Sequence, residues 1–197
     1  ARLHQARVMR LTPDSLNRLL ASLRGKGGYE DRFQVAMLGA IRQGDVVWDV
    51  GANVGLYSKI FSEIAGSSGR VFAYEPSPAN LKRLNEAVAT LVNVTVVPVA
   101  LGEHENVVAF KQGNDPLGAT SRIVDKAAGE SEATVDIRLS SGDRLVSSGA
   151  VSIPNVIKID TEGFELDVLL GLRQTLQEKR LRMLCIEMHF GLLEERG

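Results

Sequence analysis

The chain predicts an α/β fold, a mostly parallel sheet with helices packed on both faces. Three observations carry this. Apolar runs of strand length alternate with segments of helical periodicity from residue 46 to residue 188. The first run, Val46-Val-Trp-Asp-Val50, passes through a glycine-containing turn straight into a helix beginning near Gly55. No internal repeat or low-complexity linker divides the pattern. Alternating strands and helices require parallel strands joined by crossovers, covered on both sides.

The elements follow in order. Thr12-Pro13-Asp14-Ser15 caps a short helix whose inner face is Leu16, Leu19, Leu20 and Leu23. A second helix covers Tyr29 to Arg42, with Phe33, Met37 and Ile41 inward. Strand 46–50, helix 55–65 and strand 70–75 come next, then a helix opened by Ser77-Pro78 in which Leu81, Leu84, Val88 and Leu91 share a face. Strand 94–101 leads into an irregular stretch, Gly102 to Leu139, with alternating segments at Val107 to Lys111 and Thr134 to Leu139. This is a β-rich insertion between the third and fourth core strands, and Gly113 to Arg122 within it is a candidate lid. Helix 141–147, strand 155–160, helix 164–178 and strand 181–188 complete the core. Residues 1–44 are expected to pack as helices on a single domain spanning 45–197.

Composition narrows the function. The 197 residues are 44% hydrophobic and carry a net charge of −1, with pI near 6.4. No basic footprint for a nucleic-acid backbone is present. A single cysteine, Cys185 in the apolar run Met183-Leu-Cys-Ile186, excludes an internal disulfide and reads as buried packing. No run reaches the ~20 apolar residues that span a bilayer. A cytoplasmic location without membrane insertion is expected.

The turn after the first strand reads as a cofactor site. Gly51 and Gly55 lack a Cβ, which leaves room for a ligand, and the free N–H groups of the following helix face it. Glu75, twenty residues after Gly55 at the end of the second strand, suits the hydroxyls of a ribose. The dinucleotide fingerprint fails, since Asn53 and Leu56 stand where its second and third glycines belong. Asp49 would repel a phosphate but would suit a cation, such as the amino group and sulfonium of S-adenosylmethionine. That cofactor is preferred to NAD. An NAD-dependent oxidoreductase and a non-catalytic cofactor-binding domain stay open as alternatives.

Ligands of an open parallel sheet occupy the crevice beyond the carboxyl ends of its strands. Asp49, Glu75, Asp160, Glu187 and His189 all fall at such ends, and Asp160 runs into Thr161-Glu162-Gly163. Helix capping would explain any one of these acids; their convergence points to a site.

Asp49-Val-Gly-Ala-Asn-Val-Gly55, Tyr74-Glu75-Pro76, Ala100-Leu101-Gly102, Ile157-Lys-Ile-Asp-Thr-Glu-Gly163-Phe-Glu165 and Ile186-Glu-Met-His189 resemble, in order, the motifs of the FkbM family of S-adenosylmethionine-dependent methyltransferases. The resemblance implies a Rossmann-like class I methyltransferase fold. It also implies O-methylation of a hydroxyl on a sugar, glycan or natural-product small molecule. An antiparallel strand pair normally follows the fifth strand; with the sequence ending at Gly197, the expectation is either a longer protein that supplies the pair or an unusual sheet edge. Carried over by position, Asp49, Gly51, Ala52, Asn53 and Gly55 line the methionine part of the cofactor. Tyr57 and Ser58 reach its carboxylate, Glu75 and Pro76 hold the ribose, and Ala100 and Leu101 lie beside the adenine. Asp160 sits near the amino group and the transferred methyl.

Methyl transfer to an alcohol is an in-line displacement that benefits from alignment and from a base. His189 is the candidate base, since an ordinary pKa of about 6.5 leaves most of it neutral at pH 7. Asp160 and Glu162 complete the catalytic group. A Mg²⁺ ion held by Asp160, Glu162, Glu187 and His189 is the competing, less favoured mechanism. His4 and His104 stand in polar contexts and read as solvated.

Overall fold

The computed structural model describes residues 29–111, 122–124 and 134–192. Helix α1 (Tyr29–Ala40) precedes β1 (Val46–Val50), α2 (Leu56–Ala65), β2 (Arg70–Tyr74), α3 (Pro78–Val88) and β3 (Val94–Val97). Short β4 (Ala100–Leu101) opens a second group with β5 (Asn106–Lys111), β6 (Arg122–Val124) and β7 (Thr134–Ser140). Then come α4 (Gly142–Ser147), β8 (Val156–Ile159), α5 (Glu165–Leu170), a 3₁₀ turn at Thr175–Gln177 and β9 (Met183–Ile186). The helix expected at 12–23 and most of the candidate lid lie outside the described residues.

The main sheet has the order β3-β2-β1-β8-β9, and every pairing in it is parallel. Buried on both faces, its strands read as apolar runs and not as alternations. Side chains still alternate between two cores. Val47 and Val156 pack with Met37 of α1 and Phe61 and Ala65 of α2, while Ala73 meets Leu84 and Val88 of α3. On the other face Trp48, Val50, Phe72, Tyr74, Ile157 and Ile159 pack with Val168 of α5 and Leu172. The five-stranded parallel core thus agrees with the expected fold, and Cys185 is buried within it.

Two elements differ from expectation. The strand expected at 94–101 is split in two, because Pro98 has no N–H to give a ladder. Beyond it the chain leaves the main sheet, and β4 pairs with β7 in a second sheet of order β4-β7-β5-β6. The insertion is therefore a sheet with its own small core of Ala100, Phe110 and Ile137. The helix expected at 164–178 stops at Leu170. Gly171 lies so close to the Gly102 carbonyl that a Cβ would collide with it. The Asp143 carboxylate then draws the chain into a new turn, accepting from the Gln174 and Thr175 N–H groups at 2.8 Å and the Thr175 hydroxyl at 2.7 Å.

Trp48 anchors one of these cores to β1. Its ring is fully buried, lies 5.2 Å from that of Tyr74, and donates its Nε1–H to the Ser152 carbonyl at 3.0 Å. Trp48→Ala should therefore lower the unfolding free energy by about 3–5 kcal/mol, seen as a reduced urea midpoint followed by circular dichroism.

Candidate functional site

A cleft opens where β1, β2 and β8 end, with a wall supplied by the second sheet. Gly51, Asn53, Glu75, Pro76, Asn80, Ala100, Leu101, Phe110, Asp160, Thr161, Glu162 and Phe164 are among its lining residues. It is open to solvent, and its cavity volume is about 130 Å³. Eight of the residues expected from the sequence line it: Gly51, Asn53, Glu75, Pro76, Ala100, Leu101, Asp160 and Glu162. Asp49, Ala52, Gly55, Tyr57, Ser58 and His189 stand outside the lining.

The turn after β1 wraps the end of β2. Gly51 and Ala52 donate their N–H groups to the Tyr74 carbonyl at 3.1 and 2.9 Å, and Asn53 donates its N–H to Glu75 Oε2 at 2.9 Å. These three backbone donors of the turn are therefore already used. Gly51 (φ 79°) and Gly55 (φ 85°) adopt left-handed conformations. The space left by their missing side chains is taken by the protein itself. A Cβ on Gly51 would strike the Asp160 carbonyl, and one on Gly55 would lie 2.7 Å from Leu84 Cδ1. Their missing side chains permit this close packing, and Gly51 also lines the cleft. The N-terminus of α2 has no side-chain cap, which leaves first-turn N–H groups for an anion.

Glu75 is only 4% exposed, yet it lines the cleft. Its Oε1 accepts from the Ser77 N–H at 2.8 Å. Burial pushes its carboxyl up to about 7, against the hydrogen bonds from Ser77, Asn53 and Asn80 that favour the charge. Three hydrogen bonds leave one of the carboxylate's four acceptor sites open.

Asp49 is fully buried and already has partners. Ser58 donates its hydroxyl to Asp49 Oδ2 at 2.6 Å, and the Lys158 ammonium lies 3.4 Å from Oδ1. Asp49 and Lys158 are register partners on β1 and β8, which places their side chains together on one face. The same ammonium lies 3.3 Å from Asp160 Oδ2 and 5.1 Å above the Tyr57 ring. Burial disfavours its charge, but the fields of Asp49 and Asp160 prevail and hold its pKa above the usual lysine range. Asp49 thus compensates a protein cation, and Tyr57 and Ser58 are engaged in the same cluster. Lys158 carries no signal in the sequence beyond being a charge inside an apolar strand.

At the next strand end, Asp160, Glu162 and His189 bring ligand-type atoms within 4.8 Å of one another. Glu162 adopts φ 52°, a costly conformation for a side-chain-bearing residue that recurs at functional sites. His189 Nε2 faces Glu162 Oε2 at 3.4 Å, and Nδ1 faces Glu165 Oε1 at 3.1 Å. Burial would lower the His189 pKa, but the Glu165 hydrogen bond and the charges of Glu162, Glu165 and Asp160 raise it above 6.5. The imidazole is therefore more protonated at neutral pH than its ordinary value implies. Burial likewise raises the Glu162 carboxyl, and His189 opposes this. Glu187 is exposed, and so is His104, 3.5 Å from Glu103.

A five-stranded parallel sheet, a helix N-terminus without a side-chain cap and a buried carboxylate at the end of β2 are the arrangement of a nucleoside-cofactor fold. Residues 49–197 match the methyltransferase FkbM domain, and the chain belongs to that family. It is 33% identical over 172 residues to the hexuronic acid methyltransferase AglP of Haloferax volcanii, covering 86% of this chain and 66% of that protein. It is 31% identical over 179 residues to the 31-O-demethyl-FK506 methyltransferase FkbM of Streptomyces tacrolimicus, covering 76% and 67%. A crystal structure of a methyltransferase FkbM from Methylobacillus flagellatus KT shares the fold, with a TM-score of 0.50 and 21% identity over 71% of this chain and 32% of that one. The chain thus spans about two thirds of the length of these curated relatives. Among the described residues no helix is long and apolar enough to cross a membrane.

The buried cluster has a direct test. Lys158→Met removes the cation that compensates Asp49 in the interior, and stability should fall by on the order of 3–5 kcal/mol. Adding Asp49→Asn should recover much of this loss in a chemical-denaturation double-mutant cycle.

Proposed function

We propose that this chain is an S-adenosylmethionine-dependent O-methyltransferase domain, acting in the cytoplasm on a hydroxyl of a sugar, glycan or natural-product small molecule. The observation that carries the reading is Glu75. It is a buried carboxylate with an open acceptor site on the cleft wall, beside a loop whose N–H groups are already bonded to β2. A ribose diol donates to such a group. The first-turn N–H groups of α2 receive the methionine carboxylate, and Asp160, 29% exposed on its side chain, faces the amino group. Ala100, Leu101 and Pro76 give the base an apolar surface.

The cofactor supplies an electrophilic methyl on a sulfonium. The chain's part is to align an acceptor hydroxyl and remove its proton. Glu162 lies on the cleft wall, and His189 Nε2 meets it at 3.4 Å. In this reading Glu162 holds the acceptor and His189 ends with the proton. The AglP and FkbM relatives, by their names, act on a hexuronic acid and on 31-O-demethyl-FK506, which supports a polar, hydroxyl-bearing acceptor. The metal-free route is favoured because the Lys158 ammonium, 3.3 Å from Asp160, already offsets part of that carboxylate's charge. Dialysis against a chelator should leave turnover unchanged; loss restored by Mg²⁺ would establish the other route.

Two experiments test the proposal. Binding of S-adenosylmethionine should require Glu75 in its charged form. With its pKa near 7 in the free protein, binding below that pH must expel a proton. Affinity should therefore weaken as pH falls from about 8 to about 6, with proton release seen by calorimetry in buffers of different ionisation enthalpy. Glu75→Ala should weaken binding strongly, and no binding to the intact chain would refute the reading.

For the base, a panel of uronic acids and hydroxylated macrolides would be screened by release of the demethylated cofactor. With an acceptor found there, His189→Ala should lower kcat by about 10²–10⁴-fold while cofactor affinity holds. Near-normal turnover would remove His189 from the mechanism.

A further inference from the structure

We infer that Glu165 is a positioning residue that fixes the tautomer of His189, keeping the proton on Nδ1 and turning the Nε2 lone pair toward Glu162 and the cleft. This deepens the reading of His189 as the base and rests on it.

Glu165 opens α5, where an acid ordinarily complements the helix dipole from solvent. Here it is fully buried. One oxygen, Oε1, gathers the surroundings of the proposed base. It accepts the Gly163 N–H at 2.9 Å, lies 3.4 Å from both the N–H and the hydroxyl of Thr161, and meets His189 Nδ1 at 3.1 Å. A single carboxylate thus links the loop that carries Asp160 and Glu162 to the residue that follows β9. Gly163 can aim its N–H at this oxygen because it adopts φ 90° with Leu192 packed against it; a Cβ there would lie 2.6 Å from that of Leu192.

The direction of the bond follows from charge. Burial would raise the Glu165 carboxyl, but the hydrogen bonds from Gly163 and His189 outweigh it and hold it below the usual range. Oε1 also accepts the Gly163 N–H at 2.9 Å, so it is an acceptor oxygen toward the ring as well. The ring nitrogen facing it must be the donor. In a neutral imidazole the other nitrogen then carries the lone pair. That nitrogen is Nε2, which faces Glu162 at 3.4 Å. The remaining charges around the ring are Asp160 and, beside Glu162, Glu187.

The proton balance is simple. The acceptor O–H bond breaks and an N–H bond forms at Nε2. The freed oxygen pair bonds the methyl carbon, and the carbon–sulfur pair stays on sulfur. The resulting imidazolium keeps its Nδ1–H on Glu165, whose negative charge offsets the new positive one. A carboxylate placed behind a catalytic histidine does the same in hydrolase triads.

The test uses the full chain labelled with ¹⁵N-histidine, which contains three histidines, His189 being identified by its loss in His189→Ala. Long-range ¹H–¹⁵N spectra recorded where the ring is neutral should show Nε2 unprotonated. In Glu165→Gln the population should move toward the Nε2–H form. With the acceptor found in the screen, the same variant should lose on the order of 10²-fold or more in kcat, with KM for S-adenosylmethionine within about twofold. A wild-type ring protonated on Nε2 would overturn the inference even if the variant failed to fold. So would a folded Glu165→Gln with unchanged tautomer and kcat. If His189→Ala kept full activity, the base assignment would fail on its own evidence, separately from the tautomer result.

Discussion

The site is organised around a buried ammonium. Lys158 stands between Asp49 and Asp160, and its Nζ also lies 3.5 Å from the Gly51 carbonyl. It therefore joins β1, β8 and both loops that leave them. A lone ion at such depth would be driven neutral, and a lone carboxylate equally so. Together they hold two strand ends and the turn between them in register. One of three formal charges, a negative one, is left over, and Asp160 is the member of the trio nearest the cleft. The turn that follows β1 thus owes its shape to electrostatics inside the sheet as much as to its glycines.

Two carboxylates near this core answer to opposite balances. Glu75 is buried with two backbone donors and an Asn80 contact, and burial still wins. Glu165 is buried as well, but the converging hydrogen bonds prevail and keep it ionised. The first is suited to a protonation state that changes when a partner arrives, and the second to a constant charge. Both sit where a strand or loop turns sharply, so backbone N–H groups released from the ladder are on hand to receive them.

Much of this was legible in the sequence. Apolar runs located the five core strands, and the strand-end rule put Glu75, Asp160 and Glu162 on the cleft. What escaped depends on register and distant contacts. Asp49 reads as a ligand-facing acid until β1 and β8 are aligned and Lys158 falls beside it. Glu165 reads as an ordinary first-turn acid until the end of β9 delivers His189. The helix after Phe164 has the periodicity to run on, and only Gly102 and Asp143, remote in sequence, cut it short. Pro98 carried a local signal for the broken strand, since a proline does not sit inside a central ladder.

That break has a further consequence. β4 pairs in parallel with the last residues of β7, Ala100 beside Leu139 and Leu101 beside Ser140. The whole excursion from 102 to 138 therefore leaves and returns at neighbouring points, like a cassette clipped in by its two ends. Its length and loops can vary over generations without disturbing the parallel strands, while Phe110 still reaches the cleft. Sequence change inside the cassette can in this way accumulate apart from the strand ends that carry Glu75 and Asp160.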